Sequence, residues 1–334
     1  MKLNKIFTSH MVFARNLPIR IYGEGFGKAE IHFAGQKKTV VSNESYWMVE
    51  FPAMEYGGPY SMEVIFDDDK IVLEDIYIGE VYLFAGQSNM EFKMKESNTP
   101  MELYDPSDKL RIYSTDGIEN TDYYTSDDGW VICDKEFVGE LSAIAYLVGN
   151  EISKNKNIAV GIIVCYQGAS VIESWVPEKT FEKINICIPD EKKFLDHTFE
   201  LYSRWNGDGV LYSYAFSQVK PFSISAVVWY QGESDASEEE GRVYCDELCA
   251  LINVWRKDFY NDELPFVVIQ IADCISRKGK GWSLIQEAQI KVQSKLPHVK
   301  TVISSDVCEN DDIHPKTKHK LSERVSNVLL GYIK

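Results

Sequence analysis

Beyond residue 75 the chain alternates between short apolar runs and longer stretches of helical periodicity, and this order restricts the possible folds more than any other feature. Apolar β-like runs fall at 81–85, 110–113, 158–165, 225–230, 266–271 and 301–304, and helical patterns at 139–154, 209–220, 239–259, 284–295 and 316–333. Strands that alternate with helices are joined by crossovers, which gives a mostly parallel sheet with helices on both faces. The earlier residues read differently. Ile19-Arg20-Ile21-Tyr22-Gly23, Tyr46-Trp47-Met48-Val49-Glu50-Phe51 and Tyr60-Ser61-Met62-Glu63-Val64-Ile65-Phe66 are short alternating segments divided by turn residues, as are 30–35 and 38–41. That is the pattern of antiparallel β structure. Pro59 after Gly57-Gly58 predicts a hairpin turn, and Asp67-Asp68-Asp69 predicts another. The expected organisation is a small, β-sandwich-like antiparallel module over residues 1–75 and an α/β domain over residues 76–334. The polar stretch 185–206 fits neither pattern and reads as a long loop or short helices at the mouth of a site.

In an open α/β sheet ligands bind outside the carboxyl ends of the strands. Four stretches fall there. In Gly79-Glu80-Val81-Tyr82-Leu83-Phe84-Ala85-Gly86-Gln87-Ser88-Asn89-Met90-Glu91, an apolar run breaks at Gly86 and presents Ser88 in the turn. In the second, the run Gly161 to Tyr166 leads into Gln167-Gly168-Ala169-Ser170. A glycine at that point lets backbone approach a ligand, and its N–H can donate to a developing oxyanion. The third, Trp229-Tyr230-Gln231-Gly232-Glu233-Ser234-Asp235, offers an amide in Gln231 as a second oxyanion donor and a carboxylate in Glu233 that can orient a histidine. The fourth is Asp311-Asp312-Ile313-His314-Pro315. A single turn there can bring the Asp311 carboxylate to one imidazole nitrogen of His314 and leave the other free as a general base. Each residue taken alone also fits a plain structural role, as a turn glycine, a helix cap or a surface histidine.

Composition excludes several classes. With 35 Lys and Arg against 51 Asp and Glu, the formal net charge is -16, so the chain lacks the basic footprint of a nucleic-acid binder. The acidic runs Asp67-Asp68-Asp69 and Glu238-Glu239-Glu240 read as solvated turns. No run of about 18 apolar residues could span a membrane. The first ten residues carry positive charge but neither a continuous apolar core nor a small-residue cleavage site, so the expected location is the cytoplasm. Seven scattered cysteines fit free, buried thiols, and Cys245 with Cys249 lacks the second pair that a zinc site needs.

The four stretches, in this order, resemble the sialate O-acetylesterase-like branch of the SGNH hydrolases, which is related to acetylxylan esterases. The opening Ile6-Phe7-Thr8-Ser9-His10-Met11-Val12-Phe13 is also similar to that family's first segment, so the resemblance covers nearly the whole chain. It implies a three-layer α/β/α, flavodoxin-like hydrolase domain and cleavage of acetyl esters on sugars or oligosaccharides through an acyl-enzyme, with no metal and no organic cofactor. Carried over by motif, Ser88 is the nucleophile and His314 its base. Asp311 orients His314, with Glu233 as the alternative acid. The N–H groups of Ser88 and Gly168 and the side chain of Gln231 form the oxyanion hole. Ala169, Asp235 and Gln286 depart from residues frequent in the family, which leaves the identity of the sugar open. Trp175, Trp229 and Tyr230 fit either sugar stacking or the core. The alternatives are a xylo-oligosaccharide esterase and a non-catalytic carbohydrate-binding protein on the same fold.

Overall fold

An 18-residue strand, Asp69–Gly86, runs through both halves of the molecule. The computed structural model describes residues 1–66, 69–118, 125–187, 204–277 and 279–333. Asp67 and Asp68 of the expected acidic turn, and residues 188–203 of the 185–206 stretch, lie outside the described residues.

The first strands are Lys2–Leu3 (β1), Val12–Ala14 (β2), Ile19–Glu24 (β3), Gly27–Phe33 (β4), Gln36–Ser42 (β5), Tyr46–Phe51 (β6) and Gly57–Phe66 (β7). β1, β3 and β6 form one antiparallel sheet. β4 pairs with β5 and β7, and β7 pairs antiparallel with the first part of Asp69–Gly86 (β8). The boundary read at residue 75 therefore falls inside a strand. The Gly57-Gly58-Pro59 segment is not a hairpin turn but the irregular start of β7, where the register against β8 shifts between Gly57 and Tyr60.

The second part of β8 enters a different environment. It lies between two parallel neighbours, Val160–Tyr166 (β11) and Ala226–Tyr230 (β12), and the path continues on one side through Leu110–Ser114 (β9) and Val131–Ile132 (β10). On the other side come Phe266–Ile269 (β13) and Val299–Val302 (β14). The order β10-β9-β11-β8-β12-β13-β14 is parallel except for the β9–β10 pair, and together with β2, β4, β5 and β7 it makes one 11-stranded mixed sheet among the described residues. From β8 the chain goes to β9 and β10, comes back to β11 beside β8, and then crosses to the other side of β8 at β12. β8 is thus the point where the strand order reverses, and a crevice opens at its carboxyl end.

Residues of β8 alternate between two apolar clusters. Val81, Leu83 and Ala85 pack with side chains of the helices Glu238–Asp258 and Lys280–Lys295, whereas Tyr82 and Phe84 pack with those of Ala143–Lys156 and His319–Leu330. Numbered in chain order, the α-helices among the described residues are Ser88–Glu91 (α1), Ala143–Lys156 (α2), Val210–Tyr214 (α3), Glu238–Asp258 (α4), Lys280–Lys295 (α5) and His319–Leu330 (α6). With apolar groups on both faces, the strands read as continuous hydrophobic runs rather than alternating ones. Glu238-Glu239-Glu240 is the first turn of α4 rather than a solvated turn: Ser237 caps the helix by accepting from the Glu240 N–H at 3.1 Å, and the three acids complement the positive end of the helix dipole.

Gly86 ends β8 with φ +141°, and a Cβ there would lie 2.1 Å from the Tyr230 carbonyl oxygen. Gly86→Ala should therefore lower the unfolding free energy by roughly 2–6 kcal/mol, from backbone strain and overpacking together. Gly279→Ala, with no atom within 4 Å of the new methyl, should stay within about 1 kcal/mol of the parent. Urea titrations of the two variants check this, and equal midpoints would contradict it.

Candidate active site

Three strands end in register around Gly86, whose partners are Tyr166 on β11 and Tyr230 on β12. The motif residues that follow each strand are thereby gathered at one crevice. Gln87 is pinned there by its N–H, which donates to the Tyr230 carbonyl at 3.0 Å, and by its Oε1, which accepts from the Gly232 N–H at 3.3 Å. The chain turns directly into α1, so Ser88 is its first residue, half-buried, while Asn89 and Met90 point inward.

His314 arrives from the loop between β14 and α6. Its Nε2 lies 2.8 Å from the Ser88 Oγ. The Asn89 side chain draws the loop in by donating to the Ile313 carbonyl at 2.9 Å, and Glu309 braces it through the Thr317 N–H at 3.0 Å and hydroxyl at 2.6 Å. The imidazole is held below its ordinary value, first by burial and then by the Lys318 charge, against the opposing pull of Asp312 and Glu96.

Neither carboxylate expected to orient His314 touches it. Asp311 is exposed and makes no hydrogen bond or ion pair among the described residues. The reason is local: residues 311–314 form bends instead of a helical turn, and the neighbouring Asp312 folds back so that its Oδ1 accepts the His314 N–H at 2.9 Å. Glu233 is buried on the other side of Asn89. Its Oε1 accepts from the Asn89 Nδ2 at 2.6 Å, its Oε2 has no partner among the described residues, and burial pushes its acid up.

The N–H groups of Ser88 and Gly168 donate to no other described group. The two residues are neighbours in space, since a Cβ on Gly168 would lie 3.8 Å from the Ser88 Cβ and 3.0 Å from the Glu91 carboxylate. Gln231 does not join them. Both hydrogens of its amide are engaged, with the Ser170 carbonyl at 2.8 Å and with Asp235, and its Oε1 accepts from the Tyr244 hydroxyl at 2.7 Å. This fully buried side chain braces the turn after β11 from beneath. Asp235 assists by accepting the Ile172 N–H at 3.2 Å, and Asn206 bridges the Val171 N–H and the Ala169 carbonyl at 3.0 and 2.9 Å. Trp175, Trp229 and Tyr230 are wholly buried, with the two indoles edge to face, so they belong to the core and not to a sugar platform.

Sequence reasoning passed over Lys318, Asn206 and Gln289, and took Asn89 only as part of a motif. Lys318 has no exposed surface, and its Nζ donates to the Asn89 Oδ1 at 2.6 Å. Gln289 holds the Gln231 carbonyl at 2.8 Å and the Ile271 N–H at 2.9 Å. Its closeness in sequence to His314 was the available signal for Lys318, but a lysine there ordinarily reads as solvent-facing.

Residues 78–330 match a family described as carbohydrate esterase, sialic acid-specific acetylesterase. Sialate O-acetylesterase of Homo sapiens is 24% identical over 321 residues, which cover 86% of this chain and 60% of the human protein. The sialate O-acetylesterase of Mus musculus is 22% identical over 339 residues, covering 84% of this chain and 62% of the mouse protein. The chain thus spans less than two thirds of the length of these relatives. A carbohydrate acetylesterase from Xanthomonas citri superposes with a TM-score of 0.84 at 24% identity, over 98% of this chain and 74% of that one, so the two share a fold. The match to the family model extends from the strand that leads into Ser88 through the loop that bears His314, and the chain belongs to this carbohydrate esterase family.

Proposed function

We propose that this chain is a carbohydrate O-acetylesterase that hydrolyses acetyl esters on sugars through an acyl-enzyme on Ser88. The observation that carries the reading is the 2.8 Å contact between the His314 Nε2 and the Ser88 Oγ, at the switch point of the sheet and beside two undirected N–H groups. The names of the relatives support sialic acid as the first sugar to test. The helices associated with the two apolar clusters support a three-layer α/β/α arrangement, with residues 1–75 as an attached β-sandwich-like module.

In this reading His314 takes the Ser88 proton as the hydroxyl attacks the acetyl carbonyl. The oxyanion is received by the N–H groups of Ser88 and Gly168, which are fixed before the substrate arrives and so need little reorganisation. His314 then protonates the leaving sugar oxygen, and next activates a water that releases acetate. Asp312 and Glu96 favour the imidazolium formed on the way by charge rather than by a hydrogen bond to the ring.

Three outcomes follow from these roles. Ser88→Ala should lower acetate release from p-nitrophenyl acetate and from O-acetylated sialic acid at least ~10³-fold, and a variant of undiminished activity would refute the assignment. Asp311→Asn should change kcat/KM by less than about threefold, whereas loss of a carboxylate that holds the base costs about 10⁴-fold. Steady-state kinetics of that variant decide between the two. Because burial and the Lys318 charge disfavour imidazolium, His314 should remain a competent base below the ordinary imidazole value of about 6.5. The acid limb of the kcat/KM profile should accordingly have its midpoint below that pH, and a midpoint above it would contradict the lowered basicity.

A further inference from the structure

Beneath Ser88 lies a buried polar arrangement of which the ester chemistry above uses only the Lys318 charge. Lys318, at the start of α6, is fully enclosed, and no carboxylate lies within ion-pair distance of its Nζ among the described residues. Instead its ammonium donates to the Asn89 Oδ1 at 2.6 Å and sits over the rings of Phe92 and Tyr230, at 4.7 and 5.5 Å from their centroids. The far end of the same amide donates to the Glu233 Oε1 at 2.6 Å and to the Ile313 carbonyl at 2.9 Å. An ammonium on its oxygen and two accepting oxygens, of Glu233 and Ile313, on its nitrogen leave the Asn89 amide one orientation. That amide is attached to the residue after the nucleophile and bonded to the residue before the base.

We propose that Lys318 is a positioning residue of the esterase site, its enclosed ammonium fixing the Asn89 amide that ties the Ser88 turn to the His314 loop. The inference rests on the esterase reading given above. A lysine at this place does two things that a neutral side chain of similar size does not. It supplies a charge-assisted hydrogen bond to Asn89, stronger than a neutral one and stronger still away from water. It also places a positive charge near His314, which opposes protonation of the ring. The other charges acting on His314 are Asp312 and Glu96, which favour protonation. Those around Lys318 are Glu233, Glu309 and Asp312, with the Cys308 thiol nearby. Burial lowers the ammonium to about 8, which leaves it charged at neutral pH.

The test compares Lys318→Met with the parent and with Ser88→Ala, using p-nitrophenyl acetate across pH 5 to 9 and thermal melts to verify folding. The expected result is a fall in kcat of roughly tenfold or more, KM changed by less than about threefold, and an acid limb displaced to higher pH because the cation that opposed imidazolium is gone. Lys318→Arg, which keeps the charge, should hold the acid limb at its parental position even where its bulk reduces kcat. Should Lys318→Met fail to fold, Lys318→Gln carries the same comparison, since its amide can donate to Asn89 without the charge, and the upward displacement of the acid limb is again expected. An unchanged acid limb in a folded neutral variant, or kcat within about twofold of the parent, overturns the proposal while leaving the inactive Ser88→Ala to support the esterase reading. An active Ser88→Ala overturns both.

Discussion

The contact between Gly86 and the Tyr230 carbonyl is the constraint on which the rest of the site depends. With no side chain at Gly86, β8 and β12 stay in register to their last residues, and the Gln87 N–H can continue the ladder one step further by donating to the same carbonyl. That step fixes where α1 begins, and hence where the Ser88 hydroxyl is. β11 ends against the same glycine from the other side, which brings Gly168 within reach. The catalytic geometry is therefore set by backbone pairing at the centre of the sheet, where local opening is least frequent. His314 comes from a longer loop, and Asn89, Glu309 and Asp312 secure that loop.

The same strand explains how the first 66 residues bear on the site without contributing to its chemistry. Through Ile78 β8 is paired with β7, and from Glu80 it is paired with β11. Arg15, just after β2, and Tyr56, just before β7, both bond to the Glu80 carboxylate, at 2.8 and 2.7 Å, just where the strand passes from one environment to the other. Arg111 and His10 meet similarly on Asp75. The N-terminal strands thus extend the strand that leads to the nucleophile, and residue 75 lies within it.

Much of this was legible in the sequence, and the remainder was hidden for identifiable reasons. The alternation beyond residue 75 gave the parallel sheet because its strands, buried on both faces, appear as runs such as Ala226–Tyr230 that only a covered sheet accommodates. Order along the chain placed Ser88, Gly168 and His314 at strand ends, and the fold brings them together. What spacing could not convey was the direction of polar side chains. Gln231 and Glu233 follow a strand end and look available, but Gly232, at φ +146°, turns the chain so that both side chains point into the interior. Asp311 stands at the interval suited to a helical turn, and the helix starts only at His319. Lys318 was illegible for the converse reason, since burial of an ammonium depends on partners distant in sequence.

Enclosing an ammonium and a carboxylate on either side of one amide carries a desolvation cost that apolar residues of similar volume would not incur. Two carboxylates favour a proton on His314, burial opposes it first, and the Lys318 charge adds to that opposition. An exposed cation in that role would be screened by salt, in a chain whose surface is strongly acidic. A buried one is screened far less, and its position is set by the amide it holds. The arrangement under Ser88 thus links two requirements of the ester chemistry, the distance from hydroxyl to imidazole and the proton affinity of that imidazole, through the single side chain of Asn89.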